Sequence, residues 1–193
     1  MDTERGVIMS EKRILILLAP GYEELEAVAV IDILRRAGLQ VIAAGTVSGP
    51  VPSARDVMIV PDKTLDEVMD ERFDLIVLPG GLDATESLAN DARVIDLLKK
   101  QIGGGRFVGA ICAAPTILDR HGLARDKIVT CHPVCRASIK EARLAEDQVV
   151  QDGLLITSQG PGTAIEFGLK LVDLLAGREK MQEVGHGLLA EVG

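Results

Sequence analysis

Aromatic side chains are almost missing from this sequence. Its 193 residues include no Trp, one Tyr and three Phe. A chain so poor in rings has little to stack nucleic-acid bases on, and little to hold a flavin between. Positive charge is also in short supply. Twenty-one Lys and Arg face 29 Asp and Glu, for a net charge of −8. That balance disfavours non-specific binding to nucleic acid or to an anionic membrane, and favours solubility. No apolar run reaches the ~18 residues that a membrane span needs. The opening MDTERGVIMS has acidic residues and no apolar core, so it does not read as a signal peptide. It reads as a tail over residues 1–11, ahead of a single domain over 12–193. Repeats, low-complexity stretches and Pro/Ser-rich linkers are lacking too. Cysteines number three, an odd count in a chain long enough to fold without staples. A disulfide framework is therefore not expected, and a reducing, cytoplasmic compartment is.

What the chain does have is apolar material, 47% of it, in a repeating order. KRILILLAPG (12–21) is a short continuous apolar run stopped by Pro-Gly, the pattern of a strand buried on both faces. EELEAVAVIDILRRAG (23–38) places apolar residues at helical spacing, acids in the first turn, arginines in the last and a glycine at the exit. QVIAAGT (40–46) reads as the next strand, which completes a βαβ unit. FDLIVLPGG (73–81) reads as a strand, 91–105 as a helix, RFVGAIC (106–112) as a strand, 113–122 as a short helix and DKIVTCHP (126–133) as a strand. QVVQ-DG-LLIT (148–157) reads as a hairpin with a type I′ Asp-Gly turn. SQGPG then feeds a long amphipathic helix to residue 177. Between 47 and 72 only a short strand at 58–60 and a short helix at 65–71 are expected. Alternating strands and helices predict a doubly wound α/β domain with a mostly parallel sheet. In such folds ligands collect at the carboxyl ends of the strands. PGYEELE, PGG, ICAAP and SQGPG all fall there.

Cys112 sits where an apolar strand meets a short helix. Small neighbours, Gly109, Ala110, Ala113 and Ala114, permit a tight turn. Two readings stand side by side. Cysteine is a small hydrophobe that is often buried. A thiol at a helix N-terminus is also activated, because the local amides favour the thiolate. Cys131 and Cys135 flank His132, but a zinc site wants about four ligands and no second cluster supplies them. That segment reads as a strand end and loop from which His132 reaches the site. One of Glu23, Glu24 and Glu26 can face inwards, where a carboxyl group beside a thiolate is driven towards its neutral form. The PGG amides, with the amide after the cysteine, can form an oxyanion site. SQGPG lacks the Lys-Ser/Thr of a phosphate-binding loop.

Taken together, GYEELE, RRAG, SARDV, DLIVLPGG, AICAAP, TCHP and TSQGPGTAIEF, in this order and spacing over about residues 12–180, resemble the ThiJ/PfpI family. The resemblance implies a flavodoxin-like three-layer α/β sandwich, a homodimer, and a nucleophile-elbow cysteine at Cys112. It implies a protonated glutamate at Glu26, oxyanion amides at Gly81 and Ala113, a pocket histidine at His132, and anion-binding arginines at Arg36 and Arg55 on the dimer-facing side. The peptidases of the family carry histidine directly after the cysteine. Here that residue is Ala113, which argues against peptide cleavage and for the deglycase and oxidative-stress branch. Gln159 stands where close relatives often carry arginine, and Val60 where one carries a second cysteine.

The expected function is cysteine-dependent detoxification of a small reactive dicarbonyl, of glyoxalase or deglycase type, with neither metal nor organic cofactor. The alternative is a redox sensor or stress chaperone working through oxidation of Cys112. A flavin or nucleotide binder is disfavoured by the scarcity of rings. No nucleic-acid or membrane partner is expected.

Overall fold

The computed structural model describes residues 12–190. The tail expected over 1–11 lies outside the described residues. In chain order the elements are β1 (Arg13–Leu18), α1 (Glu24–Arg36), β2 (Gln40–Gly45), β3 (Val51–Pro52), β4 (Met58–Ile59), β5 (Lys63–Thr64), α2 (Leu65–Val68) and β6 (Leu75–Leu78). Then come α3 (Leu82–Asn90), α4 (Ala92–Gly103), β7 (Phe107–Ile111), α5 (Pro115–Arg120), β8 (Ile128–Val129), β9 (Arg143–Leu144), β10 (Val149–Asp152), β11 (Leu155–Ser158), α6 (Ala164–Ala176) and α7 (Arg178–Gly187). Short 3₁₀ turns cover Pro133–Ser138 and Pro161–Thr163.

The main sheet has seven strands in the order β10-β11-β7-β6-β1-β2-β5. Only the edge strand β10 runs antiparallel. The centre is β1, where Ile14 to Leu18 are wholly shielded from solvent, as a strand covered on both faces requires. Helices flank the sheet. Helix α6 crosses α1 so closely that a Cβ on Gly168 would come within 2.8 Å of Ile33 Cδ1. This is the mostly parallel, helix-flanked α/β architecture that the strand–helix alternation implied.

Strand order reverses between β1 and β6: β2 lies to one side of β1, and β6 and β7 to the other. That is the switch point where doubly wound sheets open a crevice. Four adjacent strands end there. β1 runs into Gly21 and α1, β6 into Gly80-Gly81, β7 into Cys112, and β11 into Gly160.

Several local expectations are revised. Residues 126–133 do not join the main sheet. Only Ile128 and Val129 are extended, and they pair with β9. Two of the donors there go to side chains: Ile128 N to Asp152 Oδ2 and Thr130 N to Thr157 Oγ1, both at 2.9 Å. The hairpin pairs Asp152 with Leu155, so its two-residue turn is Gly153-Leu154. Gly153 has φ 61° and Leu154 is not left-handed, which fits the type II′ pattern rather than I′. Helices α3 and α7 have no counterpart in the sequence reading. Helix α3 starts from Gly81 with no capping side chain, and α7 buries only Met181, Val184 and Gly185, so both lack the usual signals.

Candidate active site

Cys112 occupies the left-handed region, with φ 64°. For a residue with a Cβ this costs about 1–2 kcal/mol, and it persists because the surroundings hold it. The Cys112 N–H donates to Ser158 O at 2.9 Å, and its carbonyl accepts from His132 N at 2.9 Å. Ala114 N closes the turn onto Ile111 O at 3.0 Å. The elbow is thus pinned to β11 on one side and to the His132 segment on the other. The half-buried thiol receives the backbone amides of Gly81 and Ala113. Pro115 begins the short helix behind it, a place where its missing N–H costs nothing.

Helix α1 brings the carboxyl group. Glu23 caps the helix, its side chain accepting from Glu26 N at 3.0 Å, so it is occupied by a structural task. Glu26, one turn on, is completely buried. Its Oε2 accepts from Gly80 N at 2.6 Å. Its Oε1 has no hydrogen-bond partner among the described residues, and the nearest chemistry to it is the Cys112 thiol, close enough for each group to shift the other's proton affinity. The glycine pair makes this approach possible. A Cβ on Gly80 would fall 2.6 Å from Cys112 Cβ and 2.7 Å from Glu26 Oε2. A Cβ on Gly81, whose φ is 93°, would fall 2.1 Å from Gly21 O.

Burial raises the Glu26 pKa from 4.5 to about 7, against the opposing pull of its bonds to Gly80 and Cys112. For Cys112 the lowered pKa expected from the helix start alone is overturned. Burial first, and then the charge and hydrogen bond of Glu26, push the thiol up to about 12, while the Gly81 and Ala113 amides pull it down. Both contributions from Glu26 belong to an ionised carboxylate. When Glu26 holds the proton they disappear, and the carboxylic acid donates to sulfur instead. The two groups therefore titrate as a pair that resists a second negative charge near neutral pH. A thiolate at Cys112 and a proton on Glu26 are one state.

A cavity of about 410 Å³ opens over the thiol, lined by Gly21, Glu23, Ala54, Arg55, Gly81, Leu82, Asp83, Cys112, Ala113, His132, Val134, Cys135 and Pro161. His132 Nδ1 accepts from Val134 N at 3.3 Å. This assigns the ring proton to Nε2. Arg55 is exposed and makes no ion pair among the described residues. Of the residues singled out from sequence, Cys112, Gly81, Ala113, His132 and Arg55 line the cavity, and Glu26 lies directly beneath the thiol. Arg36 does not reach it. It ends α1, ten residues and about 15 Å of helix beyond Glu26, and its Nε is paired with Asp32 at 2.7 Å. Gln159 also turns away, donating to Glu146 O at 2.8 Å. Leu82, Asp83 and Cys135 were missed. The first two belong to the unsignalled helix α3, and Cys135 was set aside with a failed metal pattern.

Comparison with known proteins places this arrangement. Residues 12–174 match the model of the DJ-1/PfpI family. The protein named dj-1beta of Drosophila melanogaster is 47% identical over 181 residues, 92% of this chain and 97% of that one. The Caenorhabditis elegans protein named glutathione-independent glyoxalase DJR-1.2 is 43% identical over 174 residues, 89% of this chain and 92% of that one. The crystal structure of Drosophila DJ-1beta superposes with a TM-score of 0.93 at 46% identity, covering 95% of this chain and 100% of that one. The oxidised form of Toxoplasma gondii DJ-1 superposes at 0.91 and 33% identity, over 94% and 100%. The match across most of the chain, and the same fold in solved relatives, establish that this chain belongs to the DJ-1/PfpI family.

Proposed function

We propose that the protein is a cysteine-dependent glyoxalase or deglycase-type enzyme acting on small reactive dicarbonyls such as methylglyoxal. The observation that carries this reading is the buried Glu26 carboxyl against the Cys112 thiol, with the Gly81 and Ala113 amides turned to the same sulfur. The thiolate attacks the aldehyde carbon and forms a hemithioacetal. The new oxyanion falls within reach of the two amides. Glu26 gives its own proton to the neighbouring carbonyl oxygen and relays the proton of the former aldehyde carbon to the neighbouring carbon, so that the ketone becomes the alcohol and the aldehyde carbon becomes an acyl group on sulfur. Water releases the acyl group from sulfur as a 2-hydroxy acid. One carbon is oxidised and its neighbour reduced, so the net change is addition of water and no external electron acceptor is consumed. His132 offers Nε2–H to the substrate oxygens, and Arg55 supplies positive charge at the rim. Deglycation of glycated amines uses the same first adduct.

The test is lactate formation from methylglyoxal. Wild type turns over and Cys112→Ser falls to the uncatalysed background. Equal rates in the two would end the mechanism.

A second reading, redox sensing through the same sulfur, is favoured by one observation: an acid proton beneath the thiol also stabilises a sulfinate by hydrogen bonding. The Toxoplasma relative has been solved in an oxidised form. A homodimer fits the exposed apolar residues Leu25 and Val28 on α1 and Val57, Met58 and Val60 around β4, with Val60 76% exposed. Such an interface would bring the Arg36 end of α1 nearer a partner. Light scattering or sedimentation tests it. The reading also places the protein in a reducing, cytoplasmic compartment, consistent with its three free cysteines.

A further inference from the structure

The cavity over Cys112 contains a second thiol. Cys135 lines it and is not used by the reaction above. Its backbone is connected to the elbow by two hydrogen bonds. His132 N donates to Cys112 O at 2.9 Å, and Cys135 N donates to His132 O at 2.8 Å. Cys135 therefore stands one 3₁₀ turn from a residue bonded directly to the nucleophile. Cys131 is different. It is wholly buried and does not line the cavity.

We propose that Cys135 is a resolving thiol, which captures oxidised Cys112 as an intramolecular disulfide across the cavity. The proposal rests on the reactive Cys112 of the preceding section. A hydroperoxide oxidises Cys112 to the sulfenic acid, its O–O bond breaking as the S–O bond forms, with an alcohol or water leaving. The Cys135 sulfur then attacks the sulfenic sulfur. The S–S bond forms, the S–O bond breaks, and the departing hydroxide takes the Cys135 proton as water. An external dithiol reverses the step. The disulfide competes with further oxidation of Cys112 to the irreversible sulfinic acid. It also closes the cavity to substrate while it lasts.

The disulfide requires the turn that carries Cys135 to move. Cysteine Cα atoms in disulfides lie about 4.4–6.8 Å apart, so the Pro133–Ser138 turn has to shift inward. Pro133, Val134, Ala137 and Ser138 on that turn are exposed, and the side chain that ties it down is Arg136, bonded to Ala145 O and Glu146. Cys135 is shifted upward by burial alone, without the Gly81 and Ala113 amides and the Glu26 carboxyl that support a thiolate at Cys112, so it is not itself the first target of peroxide. Resolution is correspondingly slower than the first oxidation, and excess peroxide favours the sulfinic acid.

The experiment is non-reducing peptide mapping after two molar equivalents of hydrogen peroxide, on wild type, Cys135→Ser, Cys135→Ala and Cys131→Ser. Wild type and Cys131→Ser are expected to lose two hydrogens and show a Cys112–Cys135 cross-linked peptide that dithiothreitol removes. Both Cys135 variants are expected to gain two oxygens on Cys112 instead. If wild type gains oxygens on Cys112 at the same rate as the Cys135 variants, with no cross-link, the resolving role is refuted while a reactive Cys112 stands. A Cys131–Cys135 cross-link refutes it as well. If Cys112 is not oxidised in any form, the reactive-thiol reading fails together with the proposal.

Discussion

Replacing Gly80 by alanine tests the centre of the site with a single methyl group. The backbone there is not left-handed, so alanine suffers no conformational penalty and the effect is steric. The added Cβ would lie 2.6 Å from Cys112 Cβ and 2.7 Å from Glu26 Oε2. Carbon atoms prefer about 3.5–4.0 Å, so the methyl group intrudes by roughly 1 Å on one neighbour that is backbone-fixed and another that is completely buried. Over-packing of this kind costs about 1–3 kcal/mol. The upper half of that range applies, because relief requires stretching the 2.6 Å Gly80 N to Glu26 Oε2 bond. Catalysis should suffer more than stability, since a displacement near 1 Å between reacting groups costs about 100-fold. Urea unfolding and the initial rate of lactate formation are the assays. Gly103→Ala is the control, because nothing lies within 4 Å of its would-be Cβ. Expected is a stability loss of about 2–3 kcal/mol with a rate loss of about 100-fold in Gly80→Ala, against near-wild-type behaviour of the control. If Gly80→Ala kept its stability within about 0.5 kcal/mol and its rate within a factor of two, the close approach of Glu26, Gly80 and Cys112 would be refuted.

Glu26 controls the pH dependence of stability. Its pKa rises from 4.5 to about 7 on folding, so between these values the folded chain keeps a proton that the unfolded chain has released, and stability falls as pH rises. At 1.36 kcal/mol per unit the loss reaches about 3 kcal/mol by pH 8. Urea unfolding of Glu26→Gln across pH 5–8 should show that slope removed; an unchanged slope assigns the proton to another group. Asp119, 2% exposed, accepts three backbone amides, from Lys140 at 2.7 Å, Glu141 at 3.0 Å and Ala142 at 2.7 Å. Asp119→Asn turns an NH₂ group towards the Lys140 N–H and should cost about 2–3 kcal/mol in chemical denaturation. A cost below about 0.5 kcal/mol would show that this carboxylate is not needed as an acceptor.

Much of the architecture was legible because periodicity reports burial. The continuous run in β1, the capped amphipathic α1 and the Gly-Gly after β6 each announce themselves. The site was legible in part for the same reason, since its residues follow strands whose ends meet. Spacing could not choose between Glu23 and Glu26. The choice is made by a cap, which consumes Glu23 and leaves Glu26 to point inwards. Nor could spacing reveal that burial and a carboxylate outweigh two amides at Cys112, because those effects come from elements distant in sequence. Residues 126–133 misled through their β-branched composition, for the Ile128 and Thr130 N–H groups turned out to be held by the Asp152 and Thr157 side chains and the His132 N–H by the Cys112 carbonyl. Asp83 stayed hidden because a glycine-started helix carries no capping signature.

Both backbone polar groups of Cys112 are already committed, its N–H to Ser158 and its carbonyl to the His132 N–H. The main chain at the elbow therefore has no slack with which to accommodate what becomes attached to the sulfur. Every covalent adduct has to be housed by the roughly 410 Å³ of free space above it. A small electrophile that fits this space should therefore label the sulfur with both of these backbone hydrogen bonds left intact.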